Sequence, residues 1–226
     1  MKVQLRHSPS ATVARCSLAG GEPLRAKTGA MVAHSAGVAL SAKAEGGLLA
    51  GLKRSMLAGE SFFVSTFTAP PQGGWVDVAP ALPGDMLSVP IVPDRPFFIS
   101  RGSWIGNSRD VRVQTTWGGF ANMFGGEGGF GLRAQGQGEV VLGVFGAIDT
   151  FELAVGEQVT IDSGHVVAYD LAMKFAIRRA VSGRSLQSFT SGEGLVFDFS
   201  GPGRVVLQSR NPGAFAAWAG AVTSSG

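Results

Sequence analysis

A Gly-Glu pair recurs at residues 59, 126 and 192, each time ahead of an apolar run and a glycine turn. Gly59-Glu60-Ser61 leads into FFVSTFTA, then Gly73-Gly74 and WVDVAPALPGDM. Gly126-Glu127-Gly128 leads into GFGLRAQ, then Gly136, Gly138 and EVVLGVFGAI. Gly192-Glu193-Gly194 leads into LVFDFS, then Gly201-Pro202-Gly203 and RVVLQSRNPGAF. The starts lie about 66 residues apart, and so regular a spacing marks a duplicated structural unit.

The other half of the unit recurs as well. GAMVAHSAGVAL from Gly29, GSWIGNSRDVRV from Gly102 and GHVVAYDLAMKF from Gly164 align without gaps. Each carries a small or apolar pair at the same place: Val32-Ala33, Ile105-Gly106 and Val167-Ala168. Upstream, VGEQVTIDSG at Val155 to Gly164 resembles GGEPLRAKTG at Gly20 to Gly29. The apolar runs are about four to eight residues long and end at Gly or Pro, which is strand punctuation. The 34 glycines among 226 residues weigh against helix, since each interior Gly costs about 1 kcal/mol relative to Ala. The repeat therefore predicts an all-β chain of three tandem units with pseudo-threefold symmetry. Its divisions fall at residues 1–73, 74–138 and 139–203, with a closing strand and tail over 204–226. The fragment Val205 to Phe215 copies only the opening strand, as expected of a strand that covers an exposed sheet edge. Gly46 to Leu57 reads as a loop or hairpin, and the stretch from Ala214 as a frayed tail or a docking segment around Trp218.

The run SGEGLVFDFSGPGRVVLQSR at Ser191 to Arg210 resembles the C-terminal signature of the altered-inheritance-of-mitochondria protein 24 family. DSGHVVAYD at Asp162 to Asp170 and LKRSMLAGESFF at Leu52 to Phe63 resemble the same family's pattern. The resemblance spans nearly the full chain. It implies three β-sandwich domains, each similar to a subunit of the tryptophan RNA-binding attenuation protein. It also implies kinship with mitochondrial proteins linked to inner-membrane organisation and respiratory-complex maintenance, and with bacterial proteins of unassigned function. The first unit departs from the shared punctuation: Ser61 replaces the second Gly of GEG, and G-x-G becomes Gly73-Gly74.

Charge narrows the function classes. The formal charge is +3 with Lys and Arg scattered, and no run exceeds the pairs Lys53-Arg54 and Arg178-Arg179. Nucleic-acid binders cluster such charge on one face, so a single-stranded nucleic-acid-binding role stands only as an alternative. Cys16 is the single cysteine, which excludes an intrachain disulfide. Met1 to Ser17 has no apolar run of the secretory kind, and no stretch reaches the length of a spanning helix. The expected setting is the cytoplasm.

Candidate sites are few. GEGGFG at Gly126 to Gly131 matches a dinucleotide fingerprint literally, but strand and turn follow it instead of the helix that phosphate binding needs. Glu60, Glu127 and Glu193 share one repeat position. Each can accept hydrogen bonds within its own glycine turn; three of them converging on an axis is the metal- or small-molecule-binding alternative. His7, His34 and His165 form no equivalent set, and no nucleophile elbow is present. The reading is a non-enzymatic scaffold or interaction protein with no catalytic residue and no cofactor. Its expected partners are unidentified proteins or further copies of itself.

Overall fold

The computed structural model describes residues 1–43, 64–100, 102–116, 131–180 and 195–223. Alternation of small and apolar side chains sets its early strands. In β2 (Val13–Leu18), Ala14, Cys16 and Leu18 are buried and the residues between them are not. β3 (Pro23–Lys27) buries Leu24 and Ala26 in the same two-residue rhythm, which a pleated backbone imposes.

β1 (Lys2–Arg6) precedes these, and β4 (Met31–His34), β5 (Ala39–Lys43), β6 (Val64–Thr68) and β7 (Gly74–Val78) follow. Next come β8 (Met86–Ile91), β9 (Phe97–Ser100), β10 (Trp104–Ser108), β11 (Val111–Thr116), β12 (Gly131–Gly136) and β13 (Gly138–Gly143). The last strands are β14 (Ile148–Leu153), β15 (Gln158–Asp162), β16 (Val166–Asp170), β17 (Lys174–Arg179), β18 (Leu195–Ser200) and β19 (Gly203–Gln208). Among the described residues the helical exceptions are a 3-10 turn at Ser163–His165 and one α-helix, α1 (Pro212–Thr223). The chain is all-β in class.

Four antiparallel sheets result, with strand orders β1-β2-β7-β4, β5-β6-β3-β10-β13-β8, β11-β12-β9-β16-β19-β14 and β15-β18-β17. β7 lies between β2 and β4, β13 between β8 and β10, and β19 between β14 and β16. Likewise β6 lies between β3 and β5, β12 between β9 and β11, and β18 between β15 and β17. The pairs β3–β10 and β9–β16 join these groups into the two six-stranded sheets.

The cores follow the same joints. Met86, Ile105 and Val141 enter the core built by β2–β7, beside Leu24, Phe67 and Val76. Val167, Ala168 and Val206 enter the core built by β8–β13. The last core is aromatic, with Tyr169, Phe197 and Phe199 buried and Phe175 packed against them.

The small or apolar pairs aligned in the sequence sit at register shifts: Met31/Ala33 opposite β7, Trp104/Gly106 opposite β13 and Val166/Ala168 opposite β19. Such a bulge turns the strand toward its second neighbour. At Gly106 that neighbour is so close that an added Cβ would lie 2.9 Å from the Arg25 carbonyl oxygen. Gly29 and Gly102 hold turns at φ of 85° and 92°, where glycine is unstrained. Gly164 serves differently: it lies in the 3-10 turn, and an added Cβ there would overlap the Asn211 carboxamide.

The C-terminal segment departs from expectation. β19 does not cover a free edge but runs inside a sheet, because Val205 through Gln208 are buried on both faces. The segment read as a frayed tail or a docking segment around Trp218 forms α1. Asn211 Oδ1 accepts hydrogen bonds from the backbone N–H groups of Gly213 and Ala214, at 2.9 and 3.3 Å. Pro212 opens the helix and alanines fill it, a combination favouring N-terminal capping and propagation.

Candidate functional site

Glu60, Glu127 and Glu193 lie outside the described residues, as do Gly126 to Phe130 of the GEGGFG motif. Two of the three histidines approach backbone carbonyl groups. His34 Nδ1 lies 2.9 Å from the Ser35 carbonyl and His165 Nδ1 lies 2.7 Å from the Gln208 carbonyl. Among the described residues no three His, Cys, Asp or Glu side chains group as metal ligands would. No helix among them is long and apolar enough to cross a membrane.

Cys16 is fully buried in β2. Burial, with the Asp77 carboxylate second, pushes its thiol up to about 12, the opposite of an activated nucleophile. Asp77 lies opposite Arg15 in the β2–β7 pair and takes hydrogen bonds from Arg15 Nε at 2.8 Å, Arg15 Nη2 at 2.9 Å and Arg6 Nη2 at 2.6 Å. The hydrogen bond from Arg15 is the largest influence holding its carboxyl below the usual range. Arg15 also stacks over Trp75, 3.9 Å from the ring centroid.

Two shallow clefts lie beside the inter-group joints. One, of about 230 Å³, is lined by Arg25, Trp104, Asn107, Arg112 and Gln114. Asn107 is held there by Trp104 Nε1, which donates to its Oδ1 at 3.1 Å. The other, of about 260 Å³, contains Arg95, Glu152, Asp170 and Arg204. Its charges are paired with one another, Arg95 with Asp170 at 3.5 Å and Arg204 with Glu152 at 4.0 Å. Among the described residues neither cleft sets a nucleophile beside a base.

The unsatisfied features lie elsewhere, on strands and a helix. β10 and β16 are buried at all five positions, whereas β4 leaves Met31 at 39% and Val32 at 57% exposure. β4 and β15 each have a sheet partner on one side only. In α1 no residue is buried, and Phe215, Trp218 and Val222 are 40%, 62% and 57% exposed. Phe215 makes the helix's aromatic contact with the β-structure, 5.2 Å from the Phe145 ring.

In the sequence Trp218 stands out as a docking candidate and Val32 as part of an aligned pair, whereas Asp77 does not stand out. Comparison of the repeats bears on both Val32 and Asp77. WVDVA, EVVLG and RVVLQ set Asp77 against Val141 and Val206, and the gapless alignment sets Val32 against Ile105 and Val167.

The family model for Mitochondrial biogenesis AIM24 matches residues 3–210 of this chain. An uncharacterized protein of Streptococcus pyogenes serotype M6 is 29% identical over 225 residues, covering 96% of this chain and 88% of that protein. A Streptococcus pyogenes protein of known crystal structure is 26% identical, with a TM-score of 0.78 and 96% of both chains covered.

Proposed function

The chain belongs to the mitochondrial biogenesis AIM24 family, and from that premise we propose that it is a non-enzymatic interaction scaffold. Three attenuator-like β units in pseudo-threefold relation form its frame, a reading supported by the recurring strand neighbours of β7, β13 and β19. It works in the cytoplasm and binds protein partners through apolar elements that the frame leaves uncovered.

The observation that carries this reading is α1. Its sequence, PGAFAAWAGAVT, holds no charged residue, yet none of its residues is buried. Phe215, Trp218 and Val222 follow one another by three and four positions, which places them on one stripe of a helix. An apolar stripe exposed to water is stabilised by a surface that covers it, and that surface is the partner.

Affinity capture from the native host tests the proposal, with wild-type protein beside Trp218→Glu and Phe215→Glu. Val155→Glu, at an apolar residue 83% exposed and away from α1, serves as the control. Specific protein partners should be lost from the two helix variants and kept by the control. Unchanged recovery with both helix variants rejects α1 as the binding element. Flotation of the wild type with phospholipid vesicles, in place of protein capture, rejects a protein partner.

A further inference from the structure

The cleft beside the β9–β16 joint holds a row of three charges that crosses three neighbouring strands. Glu152 of β14 lies opposite Arg204 of β19. The Arg204 backbone N–H donates to Asp170 Oδ2 of β16 at 2.9 Å. Phe97 of β9, opposite Asp170, continues the row, and the Arg204 guanidinium lies over its ring, 5.0 Å from the centroid. Pro90, Ile91, Val92 and Arg95 form the rest of the wall around a space of about 260 Å³.

The fold does not require these charges. At the β3–β10 joint the matching places of β8, β13 and β10 are held by Pro90, Glu139 and Ser108. There the Glu139 backbone N–H donates to Ser108 Oγ at 2.6 Å, so a neutral hydroxyl stands where the second joint has Asp170. The Glu139 carboxylate is satisfied too, accepting from Ser88 Oγ at 2.6 Å. Arg204 differs. Its side chain is 26% exposed, and its guanidinium makes no hydrogen bond among the described residues. The carboxylate within reach, Glu152 at 4.0 Å, is itself 73% exposed, and an ion pair so open to water contributes little. A guanidinium carries five N–H donors, and here they are held over an aromatic ring at the wall of a cleft.

We propose that this cleft binds a small organic monoanion, a carboxylate joined to a short apolar body. The ligand carboxylate accepts two hydrogen bonds from the Arg204 guanidinium, in the forked geometry the two groups share. It takes the place that Glu152 fills only loosely, and Glu152 turns out to water. One negative charge is what the cleft accommodates: Arg95 already faces Asp170 at 3.5 Å, which leaves Arg204 to offset the ligand. The apolar body lies against Ile91 and Val92, and Val92, 44% exposed, is covered by it. Apolar walls with a few placed polar groups are the usual make-up of a small-ligand site. None of the described residues of α1 lines the cleft, so the site is independent of the scaffold reading.

Titration of the full chain with 4-methylpentanoate at pH 7 and constant ionic strength, followed by NMR, tests the site. The Val92 amide and the Arg204 Nε–H should shift and saturate together, and the neutral 4-methylpentanamide should shift neither. Arg204→Lys keeps the charge but loses the fork, and should weaken binding about tenfold, as loss of one charged hydrogen bond does. Glu152→Gln, at an exposed side chain, removes the internal competitor and should tighten binding several-fold. No saturable shift in the wild type, equal binding of the amide, or a Glu152→Gln variant that binds no more tightly each overturns the proposal. Inorganic phosphate that saturates the same shifts at lower concentration than the carboxylate overturns the assignment to a monoanionic carboxylate.

Discussion

Arg15 grips Asp77 with both prongs of its guanidinium, at 2.8 and 2.9 Å, from the position directly opposite on the neighbouring strand. Val141 and Val206 sit at the corresponding places of β13 and β19, where both are fully buried. In β7 a carboxylate stands at the place of those valines. There Asp77 is buried, and Arg6 of β1 adds a third hydrogen bond at 2.6 Å.

Asp77 should therefore make stability depend on pH. Its folded pKa lies below the ordinary value, with the Arg15 hydrogen bond as the main cause. The stabilisation is thus fully present above the unfolded pKa of about 4 and is lost as pH falls through the lower folded value. Asp77→Asn should reduce stability at pH 7 by about 1–3 kcal/mol and flatten the acid limb of the profile. Urea denaturation of both proteins at pH 7 and pH 3 measures this; equal losses for the variant at both pH values would contradict it.

Tyr169 presents the reverse case. Its ring stacks on Phe98 at 4.6 Å and lies 5.1 Å from Phe199, but its hydroxyl is buried with no hydrogen-bond partner among the described residues. Burial raises the phenol above its ordinary range. A buried hydroxyl without a partner costs about 1–3 kcal/mol. Tyr169→Phe should accordingly keep the aromatic packing and raise the urea midpoint. A lowered midpoint would show that the hydroxyl has a partner.

Strand content was legible in the sequence because it follows from local rules. The alternation in VARCSL and the glycine-bounded runs need no knowledge of distant neighbours. The pairs Val32-Ala33, Ile105-Gly106 and Val167-Ala168 align in the sequence, but that each lies at a bulge is seen only in the strand register. Partners across the joints were not legible. That Ile105 is buried and Val32 exposed depends on which group lies beside each, and both are ordinary β-branched residues in strand sequence. α1 was hidden for another reason: its alanines favour a helix only once Asn211 caps it, and the surrounding chain reads as strand and turn.

Two glycines separate close approach from helix propensity. At Gly106 a Cβ would press on the Arg25 carbonyl at the β3–β10 joint, so Gly106→Ala should destabilise by about 1–3 kcal/mol. At Gly220 in α1 a Cβ would meet nothing within 4 Å. Gly220→Ala should stabilise the helix by up to about 1 kcal/mol. Thermal denaturation reads the first, and amide hydrogen exchange across residues 212–223 reads the second. Loss of protection in α1 on Gly220→Ala would count against the helix standing free of neighbours.

Cys16 should be chemically silent until the chain unfolds. It lies in the centre of β2 with no exposed surface, paired across the sheet with Val3 and Val76. Burial is the leading cause that pushes its thiol up to about 12, and the Asp77 carboxylate adds to it. At pH 8 the thiolate fraction is then ~10⁻⁴, against roughly a quarter for an ordinary thiol. Iodoacetamide at that pH should leave the native protein unlabelled over hours, and label it completely in concentrated urea. Partial urea should give labelling that tracks the unfolded fraction, since the thiol is reached only when β2 separates from β1 and β7. Native-state labelling at the rate of a free thiol would mean that the β1-β2-β7-β4 sheet opens without global unfolding.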